Sequence, residues 1–266
     1  SCPKPTGQRV DFPEYQYDLL VETKGLRVAW SQSAVCPCIG NNRQTNQPDP
    51  NCTVGCGGTG FLYFRPAGYD PTTVEDVGAL SEVQKYIVNR SDSPGQIIRA
   101  VSIGMERKEN AYDRIGQWGE GSVNITVRKN HSLAHFDRLT YLDSVIAYSQ
   151  TVIAENPSTT PVKLRFPATH VNFLRTQSAR YELGQHYEID DKGQICFYPD
   201  AAPTGLNVMF SVHYLHHPQF LVISWLNAVR DSLVASKRQA DASRTPLGDH
   251  QKLPTRVMAK LEFLAG

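Results

Sequence analysis

Residues 181–214 read YELGQHYEIDDKGQICFYPDAAPTGLNVMFSVHY, and this stretch decides the expected fold class. Two strand-like runs, 181–189 and 194–198, flank the turn sequence Asp190-Asp191-Lys192-Gly193. After a second turn, every other position from Leu206 to Tyr214 is apolar, which is typical of a strand with one buried face. Short strands joined by regularly spaced turns predict an antiparallel sandwich or barrel.

The same pattern extends on both sides of this stretch. A short helix is expected at 13–23 and another within 74–88, whereas residues 218–233 are compatible with either a helix or a strand. The chain is therefore predicted to be mainly β with minor α, built from antiparallel β-sandwich or barrel modules. Further strands are predicted at 26–30, 61–64, 97–103, 121–127, 137–141, 144–153 and 257–264.

The sequence suggests a division into three segments. Residues 1–65 are expected to form an N-terminal helix–strand segment that carries a cysteine cluster. Residues 66–160 are assigned to a central β domain and residues 161–266 to a C-terminal β domain. The last segment contains a polar arm at 236–252, and its terminal strand is expected to pair within the sheet or with a neighbouring subunit.

Composition excludes several classes of protein. The 266 residues include 27 basic and 26 acidic side chains, so the net charge of +1 provides no global basic field for nucleic-acid binding. No run of about 18 apolar residues occurs, so no transmembrane helix is expected. The N-terminal residues have no apolar core after a basic start, which argues against a secretory signal and for synthesis in the cytosol.

The strongest chemical signal is a cluster of four cysteines, Cys36, Cys38, Cys52 and Cys56, arranged as C-x-C and C-x3-C pairs joined by a polar loop. Zinc binds four thiolates in a tetrahedron, and two close cysteine pairs can supply them. The glycines that follow Cys56 allow the backbone to turn tightly around the sulfurs. All four positions would be filled by protein, so the predicted zinc knuckle is structural and not catalytic.

Two alternatives to zinc remain open at this point. An iron–sulfur cluster also requires four thiolates, and the spacing differs from the usual C-x2-C pairs of zinc sites. Two disulfides would use the same four residues, although clustering in a chain of cytosolic character favours a metal. The isolated Cys196 is expected to be a small buried apolar residue in a strand, and Cys2 lies near the N-terminus.

No motif in the sequence predicts catalysis, so the chain is not expected to be an enzyme. His213, His216 and His217 lie close together in sequence, but no partner residues follow at a spacing typical of a metal site or a general base. They are therefore expected to be polar loop or interface residues. A metal-dependent hydrolase would need an open metal position, which four cysteines do not leave. A nucleic-acid-binding zinc module would need basic residues around the knuckle, but Arg43 is the only basic residue in the loop between the cysteine pairs.

The order of features around the cysteines resembles a group of tailed-bacteriophage virion proteins encoded among head–tail joining genes. The resemblance lies in a short helix, a strand ending in Val35-Cys36-Pro37-Cys38, a loop, residues 51–60 with Cys-Gly-Gly-Thr-Gly, and the strand Phe61-Leu62-Tyr63. Residues 181–195, 212–218 and 253–264 are similar to phage structural β modules.

This resemblance implies a structural virion protein that forms a ring in the neck, as a collar or gateway-type connector between portal and tail. The expected partners are other copies in a hexameric or dodecameric ring, portal or adaptor proteins and tail proteins, with passive contact to DNA in the lumen and none to a membrane. The expected location is the virion, assembled in the host cytoplasm. The alternative is a tail hub, baseplate or fibre-attachment protein.

Overall fold

The computed structural model describes residues 14–41, 49, 51–56, 58–67, 79–104, 121–128, 130–225, 231–234, 249–252 and 255–262. The helices are α1 (Glu14–Lys24), α2 (Pro37–Asn41) and α3 (Glu82–Val88). The strands are β1 (Leu26–Val35), β2 (Phe61–Phe64), β3 (Gln96–Gly104), β4 (Ser122–Val127), β5 (Arg138–Tyr141), β6 (Ile146–Ala154), β7 (Ala168–Arg175), β8 (Arg180–Tyr181), β9 (Tyr187–Ile189), β10 (Ile195–Phe197), β11 (Val208–His216), β12 (Gln219–Trp225), β13 (Asp231–Val234), β14 (Asp249–Lys252) and β15 (Thr255–Leu261).

Six antiparallel strands close into a barrel in the order β1, β3, β4, β15, β12 and β5. Closure occurs at β1, where Val28 is paired with Ile98 of β3 on one side and with Tyr141 of β5 on the other. The barrel interior is filled by apolar side chains, because strand residues alternate between the two faces of a sheet. These side chains are Val28, Trp30, Ile98, Ala100, Ile125, Val127, Leu133, Leu139, Tyr141, Phe220, Val222, Val257 and Ala259.

The outer surface of the barrel is covered in part by helices. Ala29 points away from the barrel interior and packs with Ile87 and Val88 of α3. Ser81 caps this helix in a capping box with Gln84, which satisfies backbone groups at the helix N-terminus. α1 lies against β3. No helix in the described part of the chain is long and apolar enough to cross a bilayer.

A second β module is inserted between β5 and β12. It contains a four-stranded sheet in the order β6, β11, β7 and β8, together with the β9–β10 hairpin. Its apolar core includes Phe210, Val212 and Tyr214, so the alternation predicted from residue 206 onward is confirmed from Val208. Leu206 itself is exposed.

The predicted mainly β fold is confirmed, with local differences. The run at 181–189 is interrupted at Gly184, which has a positive φ of 81° and separates β8 from β9. The ambiguous region 218–233 contains strand β12 and most of β13. Of the helix predicted within 74–88, residues 82–88 form α3, and residues 74–78 lie outside the described residues. β7 and α2 were not predicted.

The sheets do not follow the three sequence segments. The barrel takes β1 from residues 1–65, β3 to β5 from residues 66–160, and β12 and β15 from residues 161–266. The C-terminal strand β15 lies between β4 and β12 of the same chain. Of the polar arm at 236–252, residues 249–252 form β14, which pairs with β13, and residues 236–248 lie outside the described residues.

Candidate metal centre

The four predicted cysteines meet at the end of a two-stranded ribbon. The first half of β1 belongs to the barrel, whereas residues Gln32 to Val35 continue beyond it and pair with β2. This ribbon places Cys36 at its end, where the Cys36 backbone N–H donates to the Gly60 carbonyl at 2.8 Å. α2 then carries Cys38, so the structured backbone brings the first cysteine pair to the glycines that follow the second pair.

Turns hold the second cysteine pair against the first. The Cys52 N–H donates to the Asp49 carbonyl, and the Thr59 N–H and hydroxyl both donate to the Cys56 carbonyl. Gly58 and Gly60 each have a φ of 81°, a conformation that side chains with a Cβ rarely adopt. The prediction that glycines after Cys56 permit tight turns is therefore confirmed at these two positions.

The sulfur atoms of the four cysteines have the separations expected of thiolates around one ion. Cys36 Sγ lies 3.7 Å from Cys52 Sγ, Cys38 Sγ lies 3.6 Å from Cys56 Sγ, and all four sulfurs lie within 4.8 Å of one another. Sulfurs at about 2.3 Å from a tetrahedral zinc ion are about 3.8 Å apart. A disulfide bond would require about 2.05 Å, and these cysteines are free thiols. The cluster could therefore bind a metal ion.

The surroundings of the cluster shift the pKa values of its thiols in opposite directions. Burial disfavours the Cys56 thiolate, but hydrogen bonds from the backbone of Gly60 and Gly58 and from the Cys52 thiol outweigh it and lower the pKa of Cys56 to about 6. A backbone hydrogen bond from Cys38 favours the Cys36 thiolate, but burial and the neighbouring thiols raise the pKa of Cys36 to about 12. Four thiolates at these distances would repel one another, and a cation at their centre would offset that repulsion.

Apolar side chains separate the sulfurs from solvent. Cys36, Cys38 and Cys56 are buried, and Cys52 is half-buried. Ile39 and Leu62 pack against the same cluster. The four thiol donors fill a tetrahedral coordination sphere, so the arrangement is suited to a structural ion.

A buried carboxylate that the sequence did not single out fastens the ribbon to the barrel. Asp137 is fully buried and accepts hydrogen bonds from Trp30 Nε1 at 2.7 Å, from the Ser33 N–H at 2.8 Å and from the Ala134 N–H at 2.8 Å. Burial raises the pKa of Asp137 in spite of these donors. The backbone of Asp137 closes a turn, in which its N–H donates to the Ala134 carbonyl at 3.3 Å, while its side chain is buried between the ribbon and the barrel.

Arg138 is also largely buried and interacts with residues distant in sequence. Its guanidinium donates to Glu262 Oε1 at 2.7 Å and lies 4.0 Å from the centre of the Tyr63 ring. Tyr63 is on β2 and Glu262 follows β15, so this contact links the ribbon to the C-terminal part of the barrel.

The other residues considered in the sequence lie elsewhere. His216 and His217 are buried. The Nδ1 atom of His216 lies 2.9 Å from the His217 carbonyl oxygen, and that of His217 lies 2.9 Å from the Ser144 carbonyl oxygen. His213 lies 2.8 Å from the Asn172 amide on the surface of β11. Cys196 is half-buried in β10, whereas full burial was expected, because its neighbours Ile195 and Phe197 face the core instead. Cys2 lies outside the described residues.

No protein-family model matches this chain, and no match is found among curated proteins. The fold and the site together define a mainly β protein, with a six-stranded barrel, an inserted β module and a four-cysteine cluster that could bind a metal ion.

Proposed function

We propose that this chain is a structural virion protein of a tailed bacteriophage, forming a ring in the neck between portal and tail. The sequence resemblance at 35–63 and in the later β segments supports this role. In the structure these segments form the ribbon, the cysteine cluster, part of the inserted module and β15. A barrel strand that continues beyond the barrel as a two-stranded ribbon is suited to contacts between subunits.

The proposal assigns one structural zinc ion to Cys36, Cys38, Cys52 and Cys56. Zinc is favoured over an iron–sulfur cluster because the sulfurs lie close enough to bind a single ion, whereas cluster thiolates bind several iron atoms spread over a larger body. Four protein ligands leave no position for water, which supports a role in rigidity. When bound, the ion stabilises a segment that is too small to have an extensive core of its own.

The observation that carries the assembly role is the set of exposed apolar side chains on and beside the ribbon. Val35, immediately before the first cysteine, is 64% exposed, and Phe64 at the end of β2 is 51% exposed. Val54, between the second pair of cysteines, is also exposed. Phe136 is partly exposed, has a φ of 63° and stacks on Phe61 at 4.3 Å between ring centres. Exposed apolar side chains on one projecting ribbon support its role as a contact site between proteins.

Elemental analysis combined with native mass spectrometry tests the proposal. We expect one zinc per chain in a ring of six or twelve subunits. Cys36→Ser and Cys56→Ser should lose the zinc, unfold the ribbon and prevent assembly, whereas Cys196→Ser is the control and should keep both. The proposal would be contradicted if the two cysteine variants assembled into the same rings as the wild type, or if the wild type were a metal-free monomer.

A second pair of variants tests the ribbon as a subunit contact without touching the ligands. Val35→Ser combined with Phe64→Ser should reduce the assembled fraction, because burial of these side chains between subunits would be lost. Leu206→Ser is the matched control, since Leu206 is 74% exposed and lies in the inserted module. Equal assembly of both variants would exclude the ribbon as the contact.

A further inference from the structure

Two arginines lie directly opposite one another at the outer edge of the inserted module. Arg175 is the last residue of β7, Arg180 is the first residue of β8, and the two are partners in the strand register. The turn between them is held by the Thr176 N–H, which donates to the Ala179 carbonyl at 2.8 Å. Both arginines are exposed and line a pocket of about 450 Å³.

The positive charge of this pair has no counter-charge in an ion pair among the described residues. Like charges at directly opposed positions of a sheet destabilise it. Within the described part of the chain, neither guanidinium has an acidic partner at ion-pair distance, in contrast to Arg27 with Asp143 and Arg138 with Glu262. The strands β6, β7, β8 and β11 themselves contain no Asp or Glu, and Glu182, which follows β8, forms no ion pair with either arginine in the described part of the chain. Two cations held at opposed positions without an ion pair are an arrangement that a bound anion would stabilise.

The pocket also supplies neutral hydrogen-bond donors around the two guanidinium groups. Ser178 lies in the turn that joins the two strands, and Ser211 of β11 is the register partner of Arg175, so both serines line the same pocket as the arginine pair. The Arg175 guanidinium lies 5.6 Å from the centre of the Phe173 ring, and that ring stacks against His213. This contact limits the conformational freedom of Arg175 and directs it along the sheet surface.

We propose that this pocket binds a phosphate group, carried on a nucleic-acid backbone or present as free phosphate. Two guanidinium groups with flanking hydroxyls offer more donors than a planar carboxylate can accept, whereas a phosphate has several acceptor oxygens and can carry two negative charges. The site lies in the inserted module, away from the cysteine cluster. It does not depend on the proposed virion role.

The test uses the full-length protein with Arg175→Gln, Arg180→Gln and the double variant. Arg165→Gln is the matched control. It removes the same charge, and Arg165 is exposed in the same module but does not line the pocket. Binding of inorganic phosphate is measured by NMR titration of backbone amides in the 175–180 turn. Binding of single-stranded and duplex DNA is measured by fluorescence anisotropy over a series of salt concentrations.

We expect the wild type and Arg165→Gln to bind at least one of these probes with equal affinity, and the double variant to bind it about tenfold or more weakly. If DNA is the ligand, the slope of log affinity against log salt should fall by about 1 for each duplex phosphate contact removed. If only inorganic phosphate shifts the turn amides, a free phosphate or phosphate ester is the ligand. The absence of binding by the wild type to all probes, or equal losses in Arg165→Gln and the double variant, would overturn the proposal.

Discussion

At the scale of single residues, His216 shows how burial changes chemistry. Its ring is completely buried and stacks on Phe166 with 4.3 Å between ring centres. Nδ1 lies 2.9 Å from the His217 carbonyl oxygen and donates to it, while the buried Nε2 has no hydrogen-bond partner in the described part of the chain. A second proton would have to be placed on Nε2, where nothing accepts it. Burial therefore lowers the pKa of His216 to about 4.

This shift predicts a dependence of stability on pH. An unfolded histidine takes up a proton near pH 6.5, whereas folded His216 does so only near pH 4. The stabilising contribution is therefore complete above about pH 6.5 and is lost as the pH falls toward 4, because only the unfolded state binds the proton. His217, whose pKa burial also lowers, acts in the same direction.

The measurement is the free energy of unfolding from denaturant titrations between pH 7 and pH 4. His216→Phe retains a ring for the stack on Phe166 and should have a smaller loss of stability over this range than the wild type. His170→Phe, at an exposed position of β7, is the control and should follow the wild type. An unchanged pH dependence in His216→Phe would show that burial of this ring does not control the effect.

At the scale of single elements, the turn between β9 and β10 depends on one glycine. Gly193 has a φ of 71°, and its N–H donates to the Asp190 carbonyl at 2.9 Å. Asp190 Oδ1 also accepts from the backbone N–H of Lys192 and Gln194, which closes the turn from inside. The backbone of Pro167 and Ala168 passes directly beside Gly193, so the turn holds the hairpin against the start of β7.

Substitution of Gly193 should therefore be costly for two reasons. A Cβ at this position would lie 2.6 Å from the Ala168 nitrogen and 2.7 Å from Pro167 Cα, and the positive φ is strained for alanine. Gly184→Ala is a matched control, because Gly184 has a φ of 81° and a Cβ there meets nothing within 4 Å. We expect Gly184→Ala to cost about 1 kcal/mol of unfolding free energy from the φ angle alone and Gly193→Ala clearly more. Equal melting temperatures of the two variants would contradict this.

At the scale of the whole molecule, the inserted module has the properties of a separable unit. Its first and last strands bring its two ends together, since Ile146 of β6 is the register partner of His216 of β11. The module has its own apolar core, which includes Leu174, Tyr187 and Phe210 and is distinct from the core of the barrel. Units with adjacent ends and their own core often fold when separated from the rest of a chain.

We therefore predict that residues 144–217 fold when produced alone. The fragment should have dispersed amide signals in NMR spectra and a cooperative thermal transition. Val212→Asp in the fragment is the control, because it places a charge in the centre of the module core and should abolish the transition. A fragment with the spectrum of an unfolded chain would show that the barrel is required for the module to fold.

What the sequence determined by itself is local. Four features follow from neighbouring residues, because strand period, turn chemistry and cysteine pairs act over a few positions. They are the alternation in β11, the turn at 190–193, the mainly β fold class and the four candidate ligands. Only the tertiary structure decided which strands are adjacent. The sequence does not predict the closure of β1 on β5 or the position of β15 between β4 and β12. It also does not predict the burial of Asp137 or the pairing of Arg175 with Arg180 across two strands.

The physical reason is that alternation predicts which face of a strand is buried but not which strand lies beside it. Trp30 and Asp137, joined by one hydrogen bond, are 107 positions apart. Such pairings are selected by the packing of the whole core, which no local pattern encodes. The same packing buries Asp137 as the acceptor that fastens the ribbon to the barrel.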